Sequence, residues 1–560
     1  MFRQKRRQKE LGKNYSFIEL KKIVTEMLYE YAEPVLQDTY LDEEAYKKQE
    51  EHRRMISACI RNCSVGNYGA KENVLELVQK FLSKDICLSR EQILRVISFD
   101  EPEKMNAWQQ LEALVYFFDK EKENGGYQCL CERLGWNQNG FKVTKNELDS
   151  AYLKLKPVFT PEEEISILAK LLYGSTVGLG VIDTLNQQSG YIEEIQIGMS
   201  GRSGQQYNYK EMLSEEMKEE LSNRYTIHIM AGGKTIWLEA ISFGTEEELQ
   251  RVLRNLVKGA GGGELTQKKP MMVVDTQDGR RIAVSRPPMT DAWIGLIRKF
   301  DTVQEIALEK LYEECPGILP ELLRQLVRSG RNIAITGEMA SGKTTLFRSC
   351  LAEAKKDRNI RVIEADSFEL NIRGFLPTAN SVTMRITDQT PAEEVLAFAR
   401  KTTGQIFAIG EINSAAVAGI TMDLSKIASQ LFFSAHYLST EHMISDFVNA
   451  KMYQGGYTEE ELAEEEVVRC LGFDVHLRVK HGKRYVQYIN EIIPEKEKKD
   501  RWSYQIRTIY QYDEENERGM LVNMPGRISY DRAKQWLSKE EYLEFVRFFE
   551  RKVFTGMSVW

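Results

Sequence analysis

One stretch of this chain restricts the folds it can adopt. The segment "RNIAITGEMASGKTTLFRSCL" begins with an apolar run from Asn332 to Thr336, continues into Gly-x-x-x-x-Gly-Lys-Thr and ends in a helical pattern. A strand, a glycine-rich turn and a helix in that order form the context of a phosphate-binding loop. Such a loop belongs to sheets of parallel strands with helices on their faces. The segment therefore predicts an α/β domain that binds a nucleotide.

The loop residues supply the predicted contacts with the nucleotide. They are Gly337, Glu338, Met339, Ala340, Ser341, Gly342, Lys343, Thr344 and Thr345. The two glycines allow the backbone N–H groups to surround an anion, and the N-terminus of the following helix adds partial positive charge. Lys343 is expected on the β- and γ-phosphates and the Thr344 hydroxyl on Mg²⁺. ATP and Mg²⁺ are thus the predicted ligands.

Further apolar runs indicate the rest of this domain, from about residue 303 to 495. The runs are "NIAITG", "RVIEA", "SVTMRI", "QIFAIG" and "LFFSAH", and helical patterns separate them. Alternating strands and helices predict a parallel sheet covered by helices.

Two of these strands end in carboxylates. "QIFAIGEI" delivers Glu411 to the carboxyl end of its strand, where a residue lies beside the phosphate loop in such sheets. We predict that Glu411 is the general base and contributes to the Mg²⁺ site, against the alternative of a surface residue in a turn. "RVIEADSFEL" ends in Glu364, with Asp366 and Glu369 close behind. Glu364 is a second candidate, for positioning the attacking water, and a solvated turn is the alternative.

Three further residues are candidates for the transferred phosphoryl group. His436 directly follows the strand "LFFSA" and could hydrogen-bond the γ-phosphate as a neutral imidazole, although a lone histidine is more often structural. Arg385 and Arg400 precede the Glu411 strand and could neutralise developing negative charge. Both arginines could equally be ordinary surface charges.

Outside this domain the patterns change. Residues 1–155 show mostly helical periodicity and no obvious chemistry, which suggests a docking module. Residues 160–300 mix helices with short strands in an α+β pattern, including hairpins at "AGGK" and at Asp278-Gly279, and helix starts at Thr160 and Thr245. Residues 496–560 are predicted as a charged, aromatic and helical tail.

Composition limits the class of protein. With 560 residues the chain predicts three or four domains, and 42% hydrophobic with 28% charged residues fit globular proteins. A net charge of -7 argues against general coating of nucleic acid. The eight cysteines lack metal-site spacing, and reduced thiols of a cytosolic protein are the expected state. No apolar run is long enough to predict a transmembrane helix. The basic start, "MFRQKRRQKE", is either a solvated terminus or a contact with anionic lipid or an acidic partner.

The order of the motifs resembles the bacterial secretion ATPase superfamily, which includes the motors of type II secretion, type IV pili and type IV secretion. Its phosphate loop, Asp box, Walker B segment and His box match GEMASGKT, VIEADSFEL, IFAIGE and SAH in that order. Segments such as "GGKTIWLEAISFGTEEELQRVLRNLVK" also resemble the N-terminal domain of that superfamily. The resemblance covers roughly residues 165–490, which look like the tight-adherence (Flp) pilus assembly ATPase branch.

This resemblance implies a fold, an assembly and further site residues. It implies a RecA-like P-loop ATPase domain after an α+β N-terminal domain, in a cytoplasmic ring of six copies at the inner face of the membrane. An arginine of the N-terminal domain would reach the nucleotide, for which Arg298 and Arg281 stand at matching stretches and Arg286 is a third possibility. Integral membrane platform proteins would be the partners, and pilin-like subunits the cargo.

The chain departs from the pattern of the superfamily at several positions. Asn413 stands where an arginine usually follows the Walker B glutamate. This departure supports an alternative, a nucleotide-binding scaffold with little turnover. A second alternative is a DNA-transfer or competence motor, although the acidic chain shows no basic-aromatic stripe for nucleic acid.

Overall fold

The protein is described here by a computed structural model with two compact units, Met1–Thr302 and Val303–Trp560. The structure describes residues 14–554 except 33–42, 65, 121–124, 189, 200–225, 277–278, 300–306, 312–316, 355–357, 366–368, 388, 456, 458, 481–482 and 497–501. The basic start of the chain and Asp278 lie outside the described residues. The finer division at residues 155–160 and 495–496 stays a prediction.

Helices dominate the first part of unit 1. They are α1 (Phe17–Ala32), α2 (Glu43–Cys63), α3 (Tyr68–Lys80), α4 (Arg90–Val96), α5 (Ala107–Asp119), α6 (Gly126–Leu134), α7 (Lys145–Leu155), α8 (Pro161–Thr176) and α9 (Asp183–Gln187). Short π and 3₁₀ turns occur at Phe81–Asp85, Pro102–Lys104 and Gly180–Ile182. The predicted start of α8 is confirmed, because Thr160 and Glu163 form a reciprocal capping box. Within the described residues, no helix has both the length and the apolar character that crossing a bilayer requires.

A six-stranded antiparallel sheet forms the rest of unit 1. Its strands are β1 (Ile192–Ile197), β2 (Ile227–Ala231), β3 (Lys234–Trp237), β4 (Met271–Asp275), β5 (Arg281–Ser285) and β6 (Ile294–Arg298), in the order β3-β2-β1-β6-β5-β4. The hairpin predicted at "AGGK" joins β2 and β3, with Gly232 and Gly233 at positive φ. Helix α10 (Glu246–Gly259) contacts β5 and β4 and buries one apolar face.

One buried apolar cluster runs through the whole of unit 1. It joins residues of the helical part, such as Leu114 and Tyr127, to sheet residues such as Ile195 and Ile282. A buried ion pair between Lys71 of α3 and Asp183 adds a polar link. Removing either partner would leave an uncompensated buried charge, at a cost of about 3–5 kcal/mol.

A nine-stranded mixed sheet is the centre of unit 2. Its strands are β7 (Ile333–Gly337), β8 (Ile360–Ala365), β9 (Ser381–Ile386), β10 (Ile406–Ile412), β11 (Gln430–Ala435), β12 (Phe473–Lys480), β13 (Lys483–Lys496), β14 (Trp502–Asp513) and β15 (Arg518–Leu521). They follow the order β15-β14-β13-β12-β7-β11-β10-β8-β9. Strands β7 to β11, which are the five predicted apolar runs, pair in parallel. Strand β12 also pairs in parallel with β7, and β12 to β15 pair antiparallel.

Helices cover this sheet. They are α11 (Leu308–Leu311), α12 (Leu319–Arg328), α13 (Lys343–Glu353), α14 (Ile372–Phe375), α15 (Ala392–Ala399), α16 (Ala415–Ser425), α17 (Thr440–Tyr453), α18 (Glu460–Cys470), α19 (Arg527–Trp536) and α20 (Lys539–Phe554). Two buried apolar clusters include sheet residues, one with α12, α13, α19 and α20 and one with α15 to α18. The predicted α/β class with a RecA-like arrangement is confirmed, since the loop strand β7 and the Glu411 strand β10 are separated by one parallel strand, β11.

The end of the chain differs from the helical tail expected there. Helices α19 and α20 are present, but β14 and β15 extend the sheet before them. The segment "WSYQIRTIYQYD" is rich in aromatic and β-branched residues, which favour strands. Its pairing with β13 continues from Tyr488↔Gln511 to Lys496↔Trp502.

Candidate functional site

The phosphate loop links β7 to α13 at the carboxyl edge of the parallel strands. Gly342 precedes the helix with φ of 92°, and Ala340 also has a positive φ of 59°. Gly342 has no side chain with which to cap the first turn of α13. Backbone N–H groups at such a helix start attract an anion, as the sequence predicts.

Gly337 is required by its surroundings. Its φ is 136°, and a Cβ atom built there would lie 2.2 Å from the carbonyl oxygen of Leu477 on β12. We expect Gly337→Ala to lower the free energy of unfolding by more than the roughly 1–3 kcal/mol of backbone strain alone. Urea unfolding measures this difference.

Gly455→Ala is the matched control for that variant, because Gly455 has a positive φ of 72° but nothing within 4 Å of its Cβ position. The control should lose only the strain component. Equal destabilisation of the two variants would contradict the role of the Leu477 contact.

The Lys343 side chain lies along the loop and is 7% exposed. Its Nζ donates to the carbonyl oxygens of Gly337 and Glu338, at 3.0 and 2.6 Å, and lies 3.0 Å from Nδ1 of His436. Because an ammonium group only donates, Nδ1 of His436 must be the acceptor.

His436 connects the lysine to Glu411. Its Nε2 lies 2.8 Å from Oε1 of Glu411. With Nδ1 accepting, a neutral imidazole carries its proton on Nε2 and donates it to the carboxylate. Both side chains are partly exposed, at 38% and 40%. The structure thus brings Lys343, His436 and Glu411 into one hydrogen-bonded chain at the loop.

Glu364 is close to this chain but buried. It is 2% exposed, and its Oε1 accepts from the Leu370 N–H at 2.7 Å. Gly410 makes room for it, because a Cβ there would lie 2.7 Å from Cγ of Glu364. Burial raises the pKa of Glu364 from 4.5 to about 8. Glu364 is therefore protonated near neutral pH and can donate a hydrogen bond from its carboxyl group.

This burial predicts a pH dependence of stability. Between about pH 4.5 and 8 the folded protein keeps a proton on Glu364 that the unfolded chain has released. The unfolding free energy consequently falls as pH rises through this window, by on the order of a few kcal/mol. We expect Glu364→Gln to remove this component, giving a flatter stability profile in urea unfolding between pH 5 and 8. If the unfolding free energy of the variant changes with pH as steeply as that of the wild type, Glu364 is not the group that holds the extra proton.

A second acidic group contacts the predicted Mg²⁺ ligand. Oε1 of Glu369 accepts from the Thr344 hydroxyl at 2.8 Å. Arg348 of α13 holds the backbone of this segment by donating to the carbonyl oxygens of Glu369 and Leu370. The sequence showed Glu369 near a strand end but gave no sign that it reaches Thr344. Asp366, named with it, lies outside the described residues.

The remaining loop residues occupy different environments. Glu338 and Met339 are exposed, and the Ser341 side chain is 1% exposed. Oγ of Ser341 is one of the buried polar atoms without a hydrogen-bond partner among the described residues. A buried hydroxyl of this kind normally has a partner, so its position in the loop suits a ligand oxygen.

The candidate arginines of unit 2 lie farther along the sheet. Arg385 is on the edge strand β9, in register with Glu364, and is half-buried. Arg400 is exposed at the end of α15. Arg484 of β13, which the sequence did not single out, donates from Nε to the Ala340 carbonyl of the loop at 3.0 Å.

The candidate arginines of unit 1 lie on neighbouring strands. Arg281 and Arg298 are paired in the register of β5 and β6, and Arg298 also faces Glu194 of β1. Arg281 forms an ion pair with Asp275 at 3.5 Å, and Arg298 is exposed. Their role at the nucleotide stays a prediction.

The described cysteines and acidic side chains do not form a metal site of their own. The seven described cysteines are free thiols. Over the described part of the chain, no group of three or more His, Cys, Asp or Glu side chains is placed to hold a metal ion alone.

No protein-family profile and no curated protein matches this chain. Among solved structures, the VirB11 ATPase of the Brucella suis type IV secretion system, in complex with sulphate, is similar at 18% identity and a TM-score of 0.27, covering 54% of this chain and 89% of that one. The Legionella pneumophila ATPase DotB is similar at 12% identity and a TM-score of 0.36, covering 65% of this chain and 93% of that one. The pilus retraction motor PilT with bound ADP is similar at 12% identity and a TM-score of 0.35, covering 66% of this chain and 91% of that one. TM-scores this low carry no argument about the family or activity of this chain.

Proposed function

We propose that this protein is an ATP-hydrolysing motor of the bacterial secretion or pilus-assembly kind. The observation that carries the proposal is the hydrogen-bonded chain from Lys343 through His436 to Glu411 at the mouth of the loop. A cation for phosphates and a carboxylate for water are the two groups that phosphoryl transfer to water needs, and the chain places them together.

The loop fits the triphosphate of ATP. Its uncapped helix start favours an anion, and the Ser341 hydroxyl supplies a buried donor without a partner in the described structure. Lys343 would exchange its two carbonyl acceptors for phosphate oxygens, since charged acceptors bind an ammonium more strongly. These residues form the proposed ATP site.

The neighbouring oxygens fit Mg²⁺. The Thr344 hydroxyl and the carboxylates of Glu369 and Glu411 are hard oxygen donors of the kind that this ion prefers. Magnesium would neutralise charge on the phosphate oxygens. Thr344 and Glu411 are the proposed metal residues, and Glu369 joins them because of its contact with Thr344.

Hydrolysis follows from the groups on Glu411 and His436. In the proposed step, Glu411 orients a water molecule and accepts its proton while the water oxygen bonds to the γ-phosphorus and the bond to the β-phosphate oxygen breaks, giving ADP and phosphate. His436 keeps Glu411 in place through its Nε2 proton and lies against Lys343 on the other side. Glu364, protonated near neutral pH, would be a donor in this site rather than a second base.

The work coupled to hydrolysis is part of the same proposal. The motif order supports a ring of six copies in the cytoplasm, peripheral to the inner face of the membrane, with integral platform proteins as partners. Arg298 and Arg281 of unit 1 would reach the nucleotide, and turnover would move unit 1 to drive pilin-like subunits through the platform. Arg385 and Arg400 are proposed to balance charge at the site.

One observation favours a second candidate function. Asn413 is exposed after the Glu411 strand, where the motif pattern has an arginine. A scaffold that binds ATP with little turnover would tolerate this change.

Phosphate release by the purified full chain with Mg²⁺ and ATP tests the proposal. Sustained release, stimulated by membranes containing the platform protein, supports the motor. ATP binding without release supports the scaffold, and stimulation by DNA alone would favour a DNA motor.

A further inference from the structure

A buried polar network begins at Thr336, the residue before Gly337 of the phosphate loop. Thr336 directly precedes Gly337, and its Oγ1 donates to Oδ1 of Asp474 at 2.6 Å. Thr440, at the start of α17 and four positions after His436, donates to Oδ2 of the same carboxylate at 2.6 Å. All three side chains are 0% exposed. One carboxylate thus joins the strand that leads into the loop to the segment that follows His436.

The hydrogen bonds in this network have one direction. The Thr440 oxygen accepts from Nδ2 of Asn490, and Oδ1 of Asn490 accepts from the Thr508 hydroxyl, both at 2.9 Å. Since each hydroxyl has one proton to share, Thr440 donates its hydrogen bond to Asp474. Thr508, Asn490 and Thr440 therefore form a line of donors that ends on the carboxylate.

The other side of the carboxylate follows the same rule. The Thr336 hydroxyl donates its hydrogen bond to Asp474. Its oxygen can therefore only accept in the 2.9 Å contact with Nδ1 of His476, so the histidine donates. The His476 ring is stacked on Tyr488 with centroids 4.6 Å apart, which fixes its orientation. Burial lowers the pKa of His476 to about 4, which keeps the ring neutral with its proton on Nδ1.

An ionised carboxylate has only acceptor oxygens, one for the donor at each end. Burial raises the pKa of Asp474 to about 6 and the two hydroxyl donors oppose this, so the group is ionised above that pH. A buried charge has an energetic cost, and a neutral amide at this position would leave one hydroxyl proton without an acceptor. The arrangement is therefore sensitive to a change of a single atom.

We propose that Asp474 is a positioning residue for the phosphate site, holding the start of the loop and the His436 segment at a fixed separation through Thr336 and Thr440. The inference rests on the proposed function, because it assigns Asp474 a role in binding and hydrolysing ATP at that site. Asp474 touches no reacting atom in this account. It acts on Lys343 through Thr336 and on His436 through Thr440.

A pair of substitutions at Thr336 tests the proposal with little change of volume. Thr336→Val keeps the branched shape without the hydroxyl, and Thr336→Ser keeps the hydroxyl. We expect Thr336→Val and Asp474→Asn to lower kcat for phosphate release about ten-fold, since each removes a hydrogen bond to a buried charge, whereas Thr336→Ser stays within about two-fold. Rescue by serine is a readout that general loss of packing would not give.

Glu491→Gln is the matched control. Glu491 is a 0% exposed carboxylate on the adjacent strand β13 with two donors of its own, Gly526 N at 2.6 Å and Ser529 Oγ at 2.5 Å, which lie at the start of α19. Its variant should lose stability while kcat and KM for ATP remain near the wild-type values. The urea midpoint of every variant is measured alongside the kinetics.

Thr440→Val and the double variant with Thr336→Val complete the experiment. Because both hydroxyls act through one carboxylate, we expect the double variant to lose much less than the product of the two single effects. If Asp474→Asn does not fold, the threonine variants carry the test alone.

The outcomes separate the two proposals. Loss of stability in Thr336→Val and Asp474→Asn with kcat and KM unchanged would overturn the role of Asp474 and leave the proposed function standing. A wild type that neither binds ATP nor releases phosphate would overturn both. Should the wild type bind ATP without turnover, the same ten-fold loss and serine rescue are expected in its dissociation constant, and their absence would overturn the inference.

Discussion

Lys343→Ala is expected to abolish measurable ATP binding, with affinity falling roughly a hundred-fold or more. The Nζ of Lys343 is the group that meets the Gly337 and Glu338 carbonyls and His436, so its removal takes the cation out of the loop and breaks the chain to Glu411. Titration with a fluorescent ATP analogue measures the loss, and phosphate release should fall with it.

Lys451→Ala is the control for this variant. Lys451 is a buried lysine of the same unit, 8% exposed at its side chain, and its Nζ pairs with Asp423 at 2.9 Å and Glu466 at 3.2 Å. Its removal should cost stability without changing affinity for ATP. Wild-type affinity in Lys343→Ala would show that the nucleotide does not occupy the loop.

Glu411→Gln should separate binding from chemistry. The amide oxygen of glutamine can still accept from Nε2 of His436, so the geometry at the loop and the affinity for ATP are retained. The amide cannot take a proton from water, and turnover should fall by roughly 10²–10⁴-fold. Single-turnover measurement of phosphate release, together with a binding titration, tests both parts.

The exposed Glu394 at the start of α15 provides a control substitution, Glu394→Gln, which should leave kcat unchanged. Full hydrolysis by the Glu411 variant would remove that residue from its proposed role. Equal losses of binding and turnover would show instead that the substitution had disturbed the loop.

The parts of the fold that depend on local pattern could be predicted from the sequence. The strand into Gly337, the helix from Lys343 and the capping box at Thr160 each depend on neighbouring residues, and the structure has all three. The parallel sheet followed from the alternation of apolar runs with helices. Strand β14 differs from the predicted tail: its charges favour a solvated tail, whereas its β-branched and aromatic residues favour a strand, which is what forms.

The site could be predicted only where strand ends bring residues together. Glu411 is predicted because it lies at the carboxyl end of an apolar strand, and His436 because it directly follows one; the structure joins them at 2.8 Å. The contact of Glu369 with Thr344 joins residues 25 positions apart on different segments, which no spacing encodes. Asp474 lies 138 positions from Thr336 along the chain and meets it only through the pairing of β12 with β7.

The central claim is that the loop around Lys343 binds the triphosphate of ATP with Glu411 facing its terminal phosphate. A structure of the full chain with Mg²⁺ and a non-hydrolysable ATP analogue measures this directly. We predict phosphate density within the loop, with Nζ of Lys343 on phosphate oxygens and the Glu411 carboxylate on the side of the γ-phosphate. Density for the analogue elsewhere on the chain, with Lys343 still on the Gly337 and Glu338 carbonyls, would contradict the account.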